Sequence, residues 1–317
     1  MKELVRVEHL KKYFDTPRGK LHAVDDVNFS INEGETLGVV GESGCGKSTL
    51  GRVIIKLLDS TAGKIFFEDE DITQTKKVKD LRCQMQMIFQ DPYSSLNPRM
   101  SVSEIIAEPL TVHKLCPKSD IVSKMEELMN TVGLARRFAN SYPHELDGGR
   151  RQRIGIARAL ALNPKFIVCD EPVSALDVSI QAQILNLMQD LQEERNLTYM
   201  FITHNLSVVK HISNEIVVMY LGMVVEKCNA DELFERTLHP YSKALLAAIP
   251  EPRVSNRSEH KILKGEIVSP IEPKPGCRFA ARCEYATEKC FESTPVLEEV
   301  ANAHFVACHH CRAINNM

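Results

Sequence analysis

The chain has 317 residues, of which 26% are charged and 44% hydrophobic, and its formal net charge at pH 7 is -3. This length can bury the core of one large domain plus an appendage, and the charge content argues against disorder. The slightly acidic balance lacks the basic footprint of a nucleic-acid partner. The longest apolar run, residues 216–225, is shorter than the roughly 20 residues of a membrane span, and no secretory signal is expected after Met1.

Residues 1 to about 80 are predicted to form strands and turns, with Val5-Arg6-Val7 and Lys64-Ile65-Phe66-Phe67 as antiparallel candidates. Within them, the apolar strand Thr36-Leu37-Gly38-Val39-Val40 leads into Gly41-Glu42-Ser43-Gly44-Cys45-Gly46-Lys47-Ser48-Thr49. In this pattern the glycines let backbone N–H groups curl around phosphates, while Lys47 reaches the terminal phosphates and Ser48 the magnesium. The helix that follows points its positive N-terminus at the anion. Residues 41–49 are therefore predicted to be a phosphate loop.

The middle of the chain, residues 100–145, is predicted to be helical, and the segment at 119–129 has the spacing of an amphipathic helix. Before it lies Ile88-Phe89-Gln90-Asp91-Pro92, and after it Leu146-Asp147-Gly148-Gly149-Arg150. The glycine pair directly precedes an amphipathic helix and leaves free N–H groups at a positive helix end. This segment is predicted to be a second phosphate site.

Residues 150–225 return to alternating strands and helices, which predicts a parallel sheet with helices on its faces. One buried strand, residues 165–169, ends in Asp170 and Glu171. A carboxylate pair at this place suits a magnesium ligand followed by a residue that polarises an attacking water.

Together these segments resemble the nucleotide-binding subunit of an ATP-binding cassette (ABC) transporter. The resemblance spans nearly the whole chain and includes Ser174-Ala175-Leu176-Asp177 and His204. It implies an α/β fold: an ABC-type P-loop ATPase core with an antiparallel β subdomain and a helical subdomain, plus a small Cys-rich C-terminal extension. We expect the ATPase domain at residues 1–249, with its helical subdomain at about 91–150, and a Pro-rich connector and Cys-rich extension at 250–317.

The resemblance also implies roles for individual residues. Glu171 takes a proton from the attacking water, His204 contacts the γ-phosphate, and Gln90 senses magnesium and water. Ser48, Gln90 and Asp170 are the expected magnesium ligands, and Tyr13 the aromatic that stacks on adenine. A core or surface packing role is the alternative for Tyr13, and a core histidine for His204. The expected nucleotide-binding positions are Tyr13, Gly41, Ser43, Gly44, Cys45, Gly46, Lys47, Ser48, Thr49, Gln90, Asp147, Gly148, Gly149 and Asp170.

The second phosphate segment departs from the family pattern Leu-Ser-Gly-Gly-Gln, because Asp147 and Arg150 replace the serine and the glutamine. An ionised Asp147 cannot donate to the γ-phosphate of the ATP held by the opposite subunit. Asp147 could instead simply cap the following helix, and Arg150 could neutralise it. We expect a functionally asymmetric pair of ATP sites in a heterodimer.

Beyond residue 249 the composition changes, since five of the fifteen prolines lie between 250 and 275 and predict an extended connector. Half of the ten cysteines follow it: Cys277, Cys283, Cys290, Cys308 and Cys311. Metal ligation is a better interpretation than disulfides for a cytoplasmic ATPase. Four thiolates at Cys277, Cys283, Cys290 and Cys308 suit an iron-sulfur cluster, with zinc and plain thiols as alternatives. The five cysteines before residue 250 are interpreted as packing residues: Cys45, Cys83, Cys116, Cys169 and Cys228.

The run around Cys277 and Cys283, with His239-Pro240-Tyr241-Ser242, resembles the oligopeptide, dipeptide and nickel importer ATPases. In that family the four cysteines are associated with a four-iron cluster. The resemblance implies ATP-driven import of peptides, with ATP, Mg²⁺ and the cluster as cofactors. It also implies a second ABC ATPase and two membrane permease subunits as direct partners, an extracellular or periplasmic substrate-binding protein as an indirect one, and a place on the cytoplasmic face of the cell membrane.

Three other interpretations remain at this point. A nickel or metal-chelate importer would use the same type of subunit. A soluble ABC ATPase acting on ribosomes or DNA usually has two ATPase units or a long coiled coil, and neither is visible in this sequence. A small-molecule kinase would not explain residues 146–150.

Overall fold

A computed structural model describes residues 2–248 and 269–317. The strands within them are β1 (Glu3–Thr16), β2 (Gly19–Asn32), β3 (Thr36–Val40), β4 (Ala62–Phe67), β5 (Glu70–Asp71), β6 (Met85–Ile88), β7 (Phe166–Asp170), β8 (Thr198–Thr203), β9 (Glu215–Tyr220), β10 (Met223–Asn229), β11 (Glu298–Ala301) and β12 (His304–Val306). The helices are α1 (Lys47–Ile54), α2 (Val78–Gln84), α3 (Pro92–Ser95), α4 (Val102–His113), α5 (Ile121–Thr131), α6 (Gly148–Leu160), α7 (Val178–Arg195), α8 (Leu206–Ile212), α9 (Ala230–Glu235), α10 (Pro240–Ala247), α11 (Glu288–Glu292) and α12 (Cys311–Ile314).

The chain divides into two compact units that each contain several stretches of sequence. The first, here called the P-loop unit, consists of Lys2–Ile31, Thr36–Gln74 and the described part of Ile202–Met317. The second, here called the signature unit, contains Asn32–Glu35 and Thr75–Phe201. The phosphate loop and the C-terminal cysteines therefore belong to one unit, and the Asp170-Glu171 pair to the other.

An antiparallel sheet in the P-loop unit has the strand order β2-β1-β4-β5. Val5 lies opposite Phe67 and Val7 opposite Ile65, so the antiparallel pairing predicted from the sequence is confirmed. All four side chains are buried. Their alternation along both strands places one face of this sheet in the core.

A second group of strands in the P-loop unit runs in the order β11-β12-β10-β9-β3. β3 pairs in parallel with β9, whereas β9 and β10 form an antiparallel hairpin. Leu221 and Gly222 form its two-residue loop, with φ values of 45° and 85°. Positive φ at both loop positions is the requirement of a type I′ turn. The apolar run at 216–225 is therefore a hairpin, and no helix among the described residues has the length and apolar character needed to cross a bilayer.

The signature unit combines the parallel pair β6 and β7 with a set of packed helices. α4 begins with a capping box, in which Ser101 accepts from the N–H of Glu104 and Glu104 bonds back to Ser101. α5 covers the predicted amphipathic segment and buries Met125, Leu128 and Met129. Helices were predicted for residues 100–145, and α4 and α5 confirm them.

The C-terminal residues 269–317, here called the Cys-rich module, share a core with the P-loop unit. Phe279 is buried with ring centroids 5.3 Å from Tyr220 and 5.4 Å from Tyr241. β12 pairs with β10, and the Pro270 carbonyl accepts from the His22 N–H at 2.9 Å. The predicted boundary near residue 250, with Pro250 and Pro252, lies outside the described residues.

Candidate functional site

The phosphate loop follows directly from the fully buried strand β3. Gly41, Gly44 and Gly46 have φ values of 152°, 79° and 104°. A Cβ on Gly46 would lie 2.0 Å from the Ala23 carbonyl oxygen, and one on Gly41 would lie 2.2 Å from that of Met219. Because backbone atoms cannot move aside cheaply, both positions require glycine.

Lys47 is the first residue of α1 and is 5% exposed. Its Nζ donates to the carbonyl oxygens of Gly41 at 2.8 Å and Glu42 at 3.0 Å, which ties the helix start to the loop. Ser48 and Thr49 follow it in the first helical turn, and Ser43 is exposed at the loop tip. Cys45 is buried, and this burial raises the pKa of its thiol. The loop thus places backbone N–H groups and one cation together, as binding of a polyphosphate requires.

Tyr13 lies on β1 of the same unit and stacks on the His22 ring, with centroids 3.9 Å apart. Its hydroxyl donates to Asp25 Oδ1. Burial and this hydrogen bond raise the pKa of Tyr13. Burial alone would raise the pKa of Asp25, but hydrogen bonds from Tyr13 and His22 and the Arg278 charge outweigh it and lower that pKa. Tyr13 is thus an oriented, half-buried aromatic in the unit that holds the phosphate loop.

The carboxylate pair of the signature unit has one buried and one accessible member. Asp170 is the last residue of β7 and is 1% exposed. Glu171 follows in a left-handed conformation, with φ of 47°. A non-glycine residue in that region is strained and is held there by its surroundings. Gln90 Nε2 donates to Glu171 Oε2 at 2.8 Å, so two residues with predicted catalytic roles meet.

Asp147 is the N-cap of α6 and accepts from the Arg150 N–H at 2.8 Å. The Arg150 guanidinium also donates to the other oxygen of this carboxylate. The capping and pairing considered for the sequence are thus both present. Gly148 and Gly149 form the first turn of the helix. The carboxylate stands at the helix end that was predicted to bind phosphate, with a cation beside it.

His204 belongs to the P-loop unit and follows the buried strand β8. Its side chain is exposed, unlike that of a core histidine. The next residue, Asn205, caps α8 by accepting from the Ser207 N–H at 3.0 Å. A histidine at the junction of a buried strand and a capped helix is accessible to a ligand.

The four predicted cluster ligands, Cys277, Cys283, Cys290 and Cys308, all line one cavity of about 320 Å³ that includes its open mouth. Burial and, less strongly, the neighbouring thiols of Cys308, Cys290 and Cys283 raise the pKa of Cys277 to about 11. Cys311 is buried and packs with Leu238 and Val306. The structure thus brings together the four cysteines named from the sequence.

No group of three or more His, Cys, Asp or Glu side chains is arranged to hold a metal ion within residues 2–248 and 269–317. His309 and His310 also line the cavity, but His309 Nε2 bonds the Ser293 carbonyl and His310 Nε2 the Thr287 hydroxyl, each at 2.8 Å. Each imidazole therefore has its Nε2 atom engaged within the Cys-rich module.

Sequence reasoning missed a buried polar cluster around Glu226, which is fully buried on β10. Its carboxylate accepts from the N–H groups of Leu238 and His239, at 2.7 and 3.1 Å, and from His304 Nε2 at 2.8 Å. Burial lowers the pKa of His239 to about 4, although Glu226 opposes this shift. The only sequence signal was a charged residue within an apolar strand, and it does not identify the partners.

Two family profiles match the sequence. One, described as ABC transporter, matches residues 24–174, and one for the C-terminal region of oligopeptide/dipeptide transporters matches residues 225–290. The oligopeptide transport ATP-binding protein OppF of Bacillus subtilis is 55% identical over 303 residues, covering 91% of this chain and 99% of its own. AppF of the same organism, also named an oligopeptide transport ATP-binding protein, is 51% identical over 96% of this chain and 97% of its own. Salmonella typhimurium OppF is 50% identical over 97% and 96%.

Solved structures of other ABC proteins have the same fold. The ATP-binding cassette MJ0796, a dimer bound to ADP and Pi, aligns with a TM-score of 0.66 and 29% identity over 72% of this chain and 99% of its own. CbiO1 from Clostridium perfringens aligns with a TM-score of 0.67 and 27% identity over 74% and 92%. The chain is therefore an ATPase of the ABC transporter family, and it contains the C-terminal region described for the oligopeptide/dipeptide transporters of that family.

Proposed function

We propose that this chain is the ATP-hydrolysing subunit that energises import of peptides across the cytoplasmic membrane. One observation carries the substrate class: relatives named for oligopeptide transport match the chain over more than nine tenths of its length. The match favours peptides over a nickel complex. It also disfavours a soluble ATPase acting on ribosomes or DNA.

Residue roles follow from the chemistry of each side chain. Lys47 and the loop amides bind the phosphates, and Tyr13 stacks on the adenine. Ser48, Gln90 and Asp170 would hold the Mg²⁺, which would supply charge neutralisation for phosphoryl transfer. Glu171 accepts the proton of the attacking water, and its bond to Gln90 supports this assignment because it orients the carboxylate. His204 contacts the γ-phosphate from an exposed position.

The chain works as a head-to-tail heterodimer in this proposal, with each ATP between one subunit's phosphate loop and the other's residues 146–150. The dimeric state of the similar cassette MJ0796 supports it. Two permease subunits would bind the helical part of the signature unit. Exposed apolar side chains there supply suitable surface: Tyr93, Val112, Leu115 and Val122.

The Cys-rich module is proposed to hold an iron-sulfur cluster through Cys277, Cys283, Cys290 and Cys308. Zinc, the alternative, would be held by four ligands with Zn–S bonds of about 2.3 Å. A four-iron cluster is larger and suits cysteines spread around a cavity. Clusters of this type are held by four Cys thiolates, and the cavity supplies four.

Purification from native membranes tests the whole proposal. The chain is expected to co-purify with a second ATPase and two permeases, and the reconstituted complex to take up labelled oligopeptides only with ATP present. Nickel complexes offered in parallel should not be transported. Recovery with ribosomes or DNA instead of membrane proteins would overturn the proposal.

A further inference from the structure

Two arginines of the Cys-rich module reach the nucleotide-binding elements of the P-loop unit. Arg278 directly follows the predicted cluster ligand Cys277, and Arg282 directly precedes the predicted ligand Cys283. Their side chains are only 9% and 7% exposed. Since burying a guanidinium is costly without a partner, each pairing is a specific structural feature.

Arg282 forms a bidentate ion pair with Glu42, the second residue of the phosphate loop. Its Nη1 lies 2.7 Å from Glu42 Oε2 and its Nη2 lies 3.1 Å from Oε1. The same guanidinium donates to the Tyr220 hydroxyl at 3.3 Å. A forked pair of this kind fixes orientation as well as charge, which a lysine could not do.

The backbone of Glu42 is held as firmly as its side chain. Its N–H donates to the Tyr241 hydroxyl at 2.9 Å, and its carbonyl accepts from Lys47 Nζ at 3.0 Å. Glu42 therefore links Arg282 of the Cys-rich module to the lysine of the phosphate loop. It also places a carboxylate in a loop whose ligand is a polyanion, where an unpaired negative charge would oppose binding.

Arg278 makes the second connection, to the predicted adenine side. Its guanidinium donates to Asp25 and to the Leu221 carbonyl. Asp25 also accepts from the Tyr13 hydroxyl and lies 2.9 Å from His22 Nδ1. The ring of Tyr13 is thus held between its stacking partner His22 and a carboxylate that Arg278 anchors.

We propose that Arg278 and Arg282 are positioning residues through which the Cys-rich module controls ATP binding by its own chain. Arg282 neutralises Glu42 and keeps the phosphate loop receptive to phosphates, while Arg278 orients Tyr13 through Asp25. This inference rests on the proposed ATP site. It concerns side chains of this chain alone and holds whichever metal, if any, the cysteines bind.

The test measures affinity for Mg-ATP and Mg-ADP by calorimetry on the full chain. Arg282→Gln is expected to weaken ATP binding about tenfold and ADP binding less, because the uncovered Glu42 charge opposes each added phosphate. The double variant Glu42→Gln/Arg282→Gln should recover most of that loss. Arg278→Gln should instead weaken the binding of ATP and of ADP by the same factor, several-fold, because Arg278 acts on the adenine side of the site.

Three controls separate the outcomes. Arg312→Ala removes an exposed arginine of the same module and should bind as the parent does. Arg282→Lys keeps the charge but cannot form the bidentate pair, so its affinity for ATP should lie between that of the parent and the loss expected for Arg282→Gln. It takes the place of Arg282→Gln in the test if that variant does not fold. Lys47→Ala should abolish binding, and if it does not, the proposed ATP site itself is wrong. Parental affinity in Arg282→Gln, or a double variant as weak as the single one, would overturn the role of Arg282, and parental affinity in Arg278→Gln that of Arg278.

Discussion

Gln90 donates to Glu171 across 2.8 Å, so the residue predicted to sense magnesium and the residue predicted to take the water's proton are hydrogen-bonded to each other. Glu171 is also strained, with φ of 47°. Strain of this kind persists only where surrounding contacts maintain it, and it is concentrated at functional sites. Both observations support the proposal that Glu171 is the catalytic base.

Replacing Glu171 with Gln should leave ATP binding intact and lower turnover about a hundredfold or more, because an amide cannot accept the water's proton. The amide can still bond Gln90, so the local conformation should survive. Phosphate release is measured in a complex whose second ATPase is already disabled. Near-parental hydrolysis in that background would rule out Glu171 as the base.

The proposed iron-sulfur cluster leads to a selective prediction for cysteine replacement. Anaerobically purified protein should be brown, with iron and sulfide in about equal amounts. Cys283→Ser should lose the colour and loosen the Cys-rich module more than it lowers ATP hydrolysis, because ligation is coupled to folding. Cys311→Ser is the matched control, since Cys311 is buried but packs with Leu238 and Val306. If the purified protein instead contains one zinc ion per chain and shows no visible absorption, the cysteines form a zinc site and not an iron-sulfur cluster.

The features predicted from the sequence are those that residues close together in the chain determine. Gly41, Lys47 and Asp170 stand in fixed order beside apolar strands, and the structure has strand and helix where that order requires them. Arg278 and Arg282 have no such signal, because their partners Asp25 and Glu42 lie 253 and 240 residues away. A long-range ion pair depends on how the chain packs, and no local pattern predicts that packing.

The hairpin at residues 216–225 shows a second limit of sequence reasoning. The run is apolar on both sides of Leu221 and Gly222, so hydrophobicity alone gives no boundary between β9 and β10. The Leu221 conformation, with φ of 45°, is unusual for this residue type. Tertiary packing imposes the turn. Asparagine or aspartate in place of Leu221 would have allowed the turn to be predicted from the sequence.

Acid should destabilise the P-loop unit through His239. This residue caps α10, where its Nδ1 accepts from the Tyr241 N–H at 3.1 Å and must stay neutral to do so. Burial lowers the pKa of His239 to about 4, against about 6.5 in the unfolded chain. The stability due to the neutral form is therefore complete above about pH 6.5 and is lost as pH falls toward 4. This site alone should lower the unfolding free energy by about 2 kcal/mol between pH 7.5 and 5.

His239→Asn provides the comparison, because asparagine keeps a capping oxygen and does not titrate. The variant is expected to be less stable at pH 7.5, where it loses ring contacts with Phe279. Its unfolding free energy, measured with urea at several pH values, should change less from pH 7.5 to 5 than that of the parent. Equal slopes would contradict the assignment.

The carboxylate of Asp147 should make the two ATP sites of the heterodimer unequal. Asp147 caps α6 as serine could, so a change to serine should alter helix stability by less than about 0.5 kcal/mol. A carboxylate about 4 Å from a phosphate charge costs on the order of 4 kcal/mol at an effective dielectric near 20. The Arg150 guanidinium offsets part of this cost, but both groups are about half exposed, which screens their pairing. The ATP site formed by Asp147 and the partner's phosphate loop should therefore hydrolyse ATP slowly.

Asp147→Ser with Arg150→Gln should raise hydrolysis at the partner's ATP site several-fold, provided that site has its own catalytic glutamate. Site-resolved turnover is measured in a complex whose phosphate loop on this chain carries Lys47→Ala. Asp147→Asn with Arg150→Gln separates the two causes, since asparagine removes the charge and keeps the cap without restoring a hydroxyl. A gain in both double variants identifies charge as the cause, and a gain with serine alone identifies the missing hydroxyl. If neither raises hydrolysis and Lys47→Ala alone spares overall turnover, the asymmetry is absent or has the opposite direction.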